Sequence, residues 1–248
     1  MRIDRAWPEP ASDLSDEAIA DLYAVRDRGA PWLRVNFVSS LDGAATHNGV
    51  SGDLGSDADL RVFDLLRRLA DVVLVGAGTV RAEGYGPMVL DDEAARWRAS
   101  RALPPQPAFA IASGLLGLDP ASTAFTEAPV RPIVVTTSGS PEDRRAALAE
   151  VADVIVAGDD AIDPDAMLAE FALRGLRQVH CEGGPTFFGS LLAADRVDEL
   201  CLTLSPRLEA GDARRIARGE LPEVRELALA HVLVAEDGTL LLRYTRER

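Results

Sequence analysis

The 248-residue chain contains no lysine; all 26 of its basic residues are arginine. That excludes covalent catalysis through a Schiff-base lysine and nucleotide binding through a Walker-type lysine. Cysteine is nearly absent. Cys181 and Cys201 both lie in apolar, strand-like runs, which fits buried thiols in a reducing compartment better than a disulfide. Two cysteines and three scattered histidines are too few for a zinc cage, so no metal site is expected. The first residues, Met1-Arg-Ile-Asp-Arg-Ala-Trp-Pro8, lack the apolar core of a signal peptide. No run approaches the roughly 20 apolar residues that a membrane span requires. A net charge of −14 disfavours nucleic acid and anionic membranes as partners while leaving room for a local cationic pocket. The expectation is a soluble, cytoplasmic protein with a small-molecule ligand.

The 47% hydrophobic content is ample for one sizeable core. Residues 1–30 read as an N-terminal extension carrying a short acidic helix at 16–28, and residues 31–248 as a single domain. Apolar segments at 33–38, 107–112, 131–136, 154–158 and 179–181 alternate with amphipathic helical patterns, which predicts a mostly parallel sheet in a three-layer α/β domain of about eight or nine strands. Residues 197–204, 231–235 and 240–244 read as an antiparallel tail, the last two joined by Glu236-Asp-Gly238 as a hairpin turn.

The chain is organised around Arg177-Gln-Val-His-Cys-Glu-Gly-Gly-Pro-Thr186. A buried strand breaks at Gly183-Gly184 and resumes as an apolar helix, with Pro185 at its first turn. Backbone N–H groups that open a helix have no internal partners, and residues without Cβ let an anion approach them. A second glycine junction follows Asp71-Val-Val-Leu-Val75, where Gly76-Ala-Gly78 precedes Thr79. Two such junctions suit an extended phosphate ligand such as a dinucleotide. Ser39-Ser-Leu-Asp-Gly43 reverses the chain at the end of the first of these strands, where open α/β sheets bind ligands. Residues 44–57 form a polar loop or lid. A helix then starts from Ser56 or Asp57, with Leu60, Phe63, Leu66 and Leu69 at helical spacing.

Phe37-Val-Ser-Ser-Leu-Asp-Gly43, Val73-Leu-Val-Gly-Ala-Gly-Thr-Val80 and Glu182-Gly-Gly-Pro-Thr186, in this order, resemble the reductase domain of bacterial riboflavin biosynthesis, and Val197-Asp-Glu-Leu-Cys-Leu-Thr-Leu-Ser-Pro206 matches it too. The resemblance spans roughly residues 33–245. It implies a dihydrofolate reductase-like fold, a homodimer, and NADPH-dependent reduction of a ribosylaminopyrimidine phosphate to its ribityl form. The Pro-Cys-x-x-Cys element of the zinc deaminase fused to some members is absent. By this resemblance Gly76, Gly78, Thr79, Gly183, Gly184, Pro185 and Thr186 hold the cofactor, while Arg81, Thr137 and Ser138 face its 2′-phosphate. Ser51, Arg67 and Glu182 line the substrate end, and Asp42 or Glu83 supplies the proton. Taken alone, these residues have blander uses: Asp42 as a turn former, Ser51 as loop, Arg67 as a solvated helix face, Glu83 and Glu182 as caps. The chain departs from the family pattern at Ala44, where a basic residue is common, and over residues 81–90, so that two cations expected near the ribose phosphate are missing. Residues 58–63 also resemble the helix that carries the pterin-binding carboxylate of dihydrofolate reductases, which places Asp59 in that role and motivates a pterin reductase as the alternative. A non-catalytic NADPH-binding regulator is the further alternative.

Overall fold

The structure is a computed structural model that describes residues 1–247. The chain opens with β1 (Ile3–Trp7), α1 (Asp16–Tyr23), β2 (Trp32–Ser40), α2 (Asp57–Leu69), β3 (Val72–Gly76), α3 (Ala77–Glu83) and α4 (Asp92–Ala99). It continues through β4 (Ala108–Ala112), α5 (Thr123–Thr126), β5 (Ile133–Thr136), α6 (Glu142–Ala149), β6 (Asp153–Val156), α7 (Pro164–Leu173) and β7 (Gln178–Cys181). The last elements are α8 (Pro185–Ala193), β8 (Glu199–Ser205), β9 (Ala228–Ala235) and β10 (Leu240–Thr245).

All five residues of β3 are buried, so this strand needs cover on both faces. On one face Leu74 and Val35 meet Phe188 and Leu191 of α8 and Met167 and Phe171 of α7. On the other, Val73 and Val75 meet Val80 of α3 and Leu148 of α6. Further along that face, Cys201, Leu233 and Leu241 pack against Val62, Leu65 and Leu66 of α2. The result is the expected three-layer α/β arrangement with a dihydrofolate reductase-like sheet, ten-stranded among the described residues, in the order β1-β9-β10-β8-β2-β7-β3-β4-β5-β6.

Two readings change. The segment that becomes β8 was expected in the antiparallel tail, yet β8 runs parallel to β2, with Val38 opposite Thr203, and antiparallel only to β10. It is reached from β7 through α8, and a helical crossover returns the chain in the same direction. Residues 1–30 are built into the domain: Ile3 of β1 pairs with Ala235 of β9, and Ile3, Ile19 and Tyr23 join the core cluster beside α2. The Glu236–Gly238 turn forms as expected between β9 and β10, with Gly238 at φ +87°.

Because β2, β7, β3, β4 and β5 are parallel, their carboxyl ends emerge along one edge. The candidate site lies there.

Candidate active site

Past Cys181 the chain passes Glu182 and turns through Gly183 at φ +89°, with a cis peptide to Gly184. The Gly76 N–H donates to Gly183 O at 2.7 Å, fastening the end of β3 to the end of β7. A Cβ on Gly183 would lie 2.8 Å from Phe37 Cζ, and one on Gly184 would lie 2.5 Å from Thr79 Oγ1. Neither position admits a side chain without displacement. At Gly78 a Cβ would meet nothing within 4 Å, because that residue faces an open cavity of about 1280 Å³. The glycine wall thus leaves backbone bare to a ligand, as a pyrophosphate needs. Thr79, Gly184, Pro185 and Thr186 also line the cavity.

Its centre holds a buried charge cluster. Arg67, from the last turn of α2, donates Nε and Nη2 to the two oxygens of Glu182 at 2.6 and 2.8 Å. The Tyr85 hydroxyl donates to the same carboxylate at 2.8 Å, and the Arg67 guanidinium stacks over Phe63, 4.1 Å from its ring centre. Burial opposes the Glu182 charge, but the Arg67 guanidinium outweighs it and brings the pKa down to about 2. Glu182 is therefore a fixed anion, and Arg67 is neutralised by it.

Asp59, in the first turn of α2, is a different kind of acid. It is 9% exposed and lines the cavity. The Thr203 hydroxyl of β8 donates to its Oδ1 at 2.5 Å. Burial raises its pKa, and the Thr203 bond only partly offsets that. Glu83 also lines the cavity, where its Oε1 accepts from Ser51 N–H at 2.7 Å and from Ser51 Oγ–H at 2.9 Å, anchoring the 44–57 loop.

Asp42 does not reach the cavity. It sits exposed in the turn after β2, accepts from the Ser40 hydroxyl, and takes the backbone N–H of Ala210 at 2.7 Å and of Glu209 at 3.1 Å. These bonds, that of Ser40 foremost, hold its pKa down at about 2. The structure thus does not bring Asp42, expected from the sequence to deliver a proton, to the cavity: its carboxylate fastens the 206–227 segment to the turn.

The 2′-phosphate residues divide. Arg81 lines the cavity and donates to Gly117 O at 2.9 Å; Arg144, not anticipated, lines it too and donates to Leu115 O at 3.0 Å. Thr137 is buried outside the cavity wall, and the Ser138 hydroxyl donates to Asp159 Oδ1 at 2.6 Å. Neither therefore lines the cavity, and the Ser138 hydroxyl is already bonded to a carboxylate.

The structure therefore brings Gly76, Gly78, Thr79, Arg81, Glu83, Ser51, Asp59, Arg67, Glu182 and Gly184–Thr186 to one cavity, with Gly183 directly behind its wall. Sequence reasoning missed Tyr85, Thr203, Arg144 and Arg214. Tyr85 stands between two glycines, and Thr203 interrupts an apolar strand; either irregularity was a usable signal. Arg144 and Arg214 carry none, being arginines on polar segments. Among the described residues there is no cluster that could hold a metal ion and no helix long and apolar enough to cross a membrane.

An open α/β sheet of this topology, with a bare glycine wall and buried carboxylates lining the same cavity, marks a dihydrofolate reductase-like protein. Within that class the chain belongs to the RibD C-terminal domain family, whose model matches residues 31–241. A 2,5-diamino-6-ribosylamino-4(3H)-pyrimidinone 5′-phosphate reductase from Archaeoglobus fulgidus is 28% identical over 192 residues, covering 77% of this chain and 87% of that protein. A solved pyrimidine reductase-like protein from Corynebacterium diphtheriae superposes with a TM-score of 0.84 at 27% identity, covering 95% of this chain and all of that one. Acinetobacter baumannii RibD shares the fold at 20% identity, with a TM-score of 0.67 over 89% of this chain and 59% of that one.

Proposed function

We propose that this chain is an NADPH-dependent reductase of a ribosylaminopyrimidine 5′-phosphate in riboflavin biosynthesis. The observation that carries this reading is the single cavity that joins the glycine wall of Gly76, Gly78 and Gly184 to the acid pocket of Asp59 and Glu182. The substrate class comes from the Archaeoglobus relative, whose name specifies the 2,5-diamino pyrimidinone; the 5-amino uracil analogue is the close variant.

A reduced nicotinamide held along the glycine wall supplies hydride. Gly76–Thr79 and Gly183–Thr186 present backbone to the pyrophosphate, and Arg81 and Arg144 offer cations to a 2′-phosphate, which favours NADPH over NADH. In the substrate, opening of the ribosylamine breaks C1′–O4′ and moves the N–H proton to O4′. Hydride then adds to C1′ of the imine, and nitrogen takes one proton. Asp59 is the group suited to give it: its raised pKa keeps it protonated to higher pH, and Thr203 occupies Oδ1 so that Oδ2 carries the proton. Glu182, ionised and bonded to Arg67 and Tyr85, positions the wall rather than donating. Glu83 acts through Ser51, holding the loop that excludes water.

Residues 31–248 form the reductase unit in this reading, with 1–30 an addition outside the family model but packed onto the unit's core. A homodimer follows from the resemblance, and sedimentation equilibrium tests it; the proposed location is the cytoplasm. The buried Asp59–Thr203 pair also supports the second reading, a pterin reductase. Mixing the protein with NADPH and each pyrimidine phosphate, or with dihydrofolate, separates them. Nicotinamide oxidation with a pyrimidine supports the first reading, and oxidation with dihydrofolate alone supports the second. Tight NADPH binding without turnover of either would leave a regulator.

A further inference from the structure

Four arginines line the cavity: Arg67, Arg81, Arg144 and Arg214. Three are committed. Arg67 is neutralised by Glu182, while Arg81 and Arg144 sit on carbonyls of the loop after β4. Arg214 alone among them makes no side-chain bond to any described residue, and its carbonyl is held by Ala45, another lining residue.

Its place is built. Ala44 and Ala45, buried in the turn after β2, supply no charge, but Ala45 N–H donates to Arg214 O at 2.7 Å. The 206–227 segment that carries Arg214 is strapped from the turn after β2 to the start of α8. Leu41 N–H donates to Arg207 O at 2.9 Å, Asp42 caps Glu209 and Ala210, and Arg218 N–H donates to Pro185 O at 3.0 Å. Ile216 and Ala217 pack on the core, and Gly189 of α8 has no room for a side chain because a Cβ there would lie 1.7 Å from Arg218 O. A segment fixed at Ala45 and Pro185, both of which line the cavity, presents an uncommitted guanidinium to a lining whose carboxylates are Asp59, Glu83 and Glu182, the last already paired with Arg67. A dianion entering there requires a cation, and a guanidinium is the side chain best matched to phosphate oxygens.

We infer that Arg214 binds the 5′-phosphate of the substrate, standing in from the strap for the basic side chain that the β2 turn lacks at Ala44. The inference rests on the reading of the site as a ribosylaminopyrimidine phosphate reductase and specifies which residue selects the phosphorylated substrate.

The test uses the full chain and two readouts. Calorimetry with ribose 5-phosphate and ribose, in the presence of NADPH, compares the wild type with Arg214→Ala and Arg214→Lys. We expect Arg214→Ala to weaken ribose 5-phosphate about 10- to 100-fold, the loss of one charge-assisted contact, with ribose and NADPH affinities unchanged. Arg214→Lys should fall between. In turnover, KM for the pyrimidine phosphate should rise by a similar factor while kcat stays within about threefold. Unchanged affinity of Arg214→Ala for ribose 5-phosphate, equal losses for ribose and its phosphate, or no binding of ribose 5-phosphate by the wild type would each overturn the assignment. A wild type that binds ribose 5-phosphate through Arg214 but turns over no pyrimidine would refute the reductase reading and leave Arg214 as an anion site. Normal turnover with KM unmoved in Arg214→Ala would refute only the role of Arg214.

Discussion

Asp59 and Asp42 carry the same functional group in opposite surroundings. Asp42 is exposed and satisfied by backbone N–H groups, so it stays ionised; Asp59 is buried with one hydroxyl donor, so its neutral form is favoured. Asp59→Asn should lower kcat about 100-fold or more, the usual worth of a general acid. Since the acid form is the active one, wild-type kcat should decline as pH rises through the elevated Asp59 pKa, and Asp59→Asn should lose that limb in a kcat–pH profile. Asp42→Asn should keep the limb and lower the melting temperature instead. The glycines give a second residue-scale contrast. Gly184→Ala puts a methyl 2.5 Å from Thr79 Oγ1 and should cost about 1–3 kcal/mol in denaturant melts as well as NADPH affinity. Gly78→Ala touches nothing in the protein and should leave the melt unchanged while weakening NADPH at least about tenfold, since its methyl occupies the space of the ligand. These glycines were legible in the sequence because a bare backbone at a strand-to-helix junction is a local property. The Arg67–Glu182 pair, 115 residues apart, and the Tyr85 bond to Glu182 across 97 residues exist only through the sheet order that brings β7 beside β3.

At the scale of elements, the strap is an irregular segment tied to Ala45 and Pro185 of the cavity lining. Replacing Gly189 by Ala forces a methyl into Arg218 O and should lift the strap from α8. The expected result is faster proteolysis within 206–227 and a higher KM for the pyrimidine phosphate, with NADPH affinity nearly unchanged; limited digestion followed by mass spectrometry checks the first. Most strands and helices were legible from period and caps: Ser56 does cap α2, accepting from Asp59 N–H, and Pro141 does precede α6. The direction of β8 was not, because an apolar strand reads the same in either direction and only the preceding α8 crossover decides it. The strap had no legible structure, since its order comes from bonds to Leu41, Asp42, Ala45 and Pro185 rather than from any periodicity of its own.

Across the whole molecule, two buried carboxylates set the acid limit. Burial opposes both charges, but Arg67 outweighs it at Glu182, and Arg34 with Arg243 outweighs it at Glu199, bringing each pKa from 4.5 to about 2. A depressed carboxylate pKa contributes stability that is complete above the unfolded value and lost as pH falls through the folded one. Urea-melt stability should therefore hold down to about pH 4.5 and decline by a few kcal/mol towards pH 2. Residues 1–30 belong to the same core. Their deletion would expose the surfaces packed on Ile3, Ile19 and Tyr23, each worth about 1.5–3 kcal/mol when buried, and should give an unstable or insoluble protein despite lying outside the matched family region. Ile3 was unreadable as core because a five-residue edge strand separated from its partner by more than 200 residues carries no local signal.

One cavity is proposed to bring hydride to C1′ of a ribosylaminopyrimidine phosphate. The most direct test is turnover with NADPH deuterated at the transferable C4 position, with the product read by mass spectrometry and NMR. The account predicts one deuterium at C1′ of a ribityl product for each nicotinamide oxidised, with the diamino pyrimidinone or its uracil analogue. Oxidation without deuterium at C1′, or no turnover of either compound by a protein that binds NADPH, would contradict it.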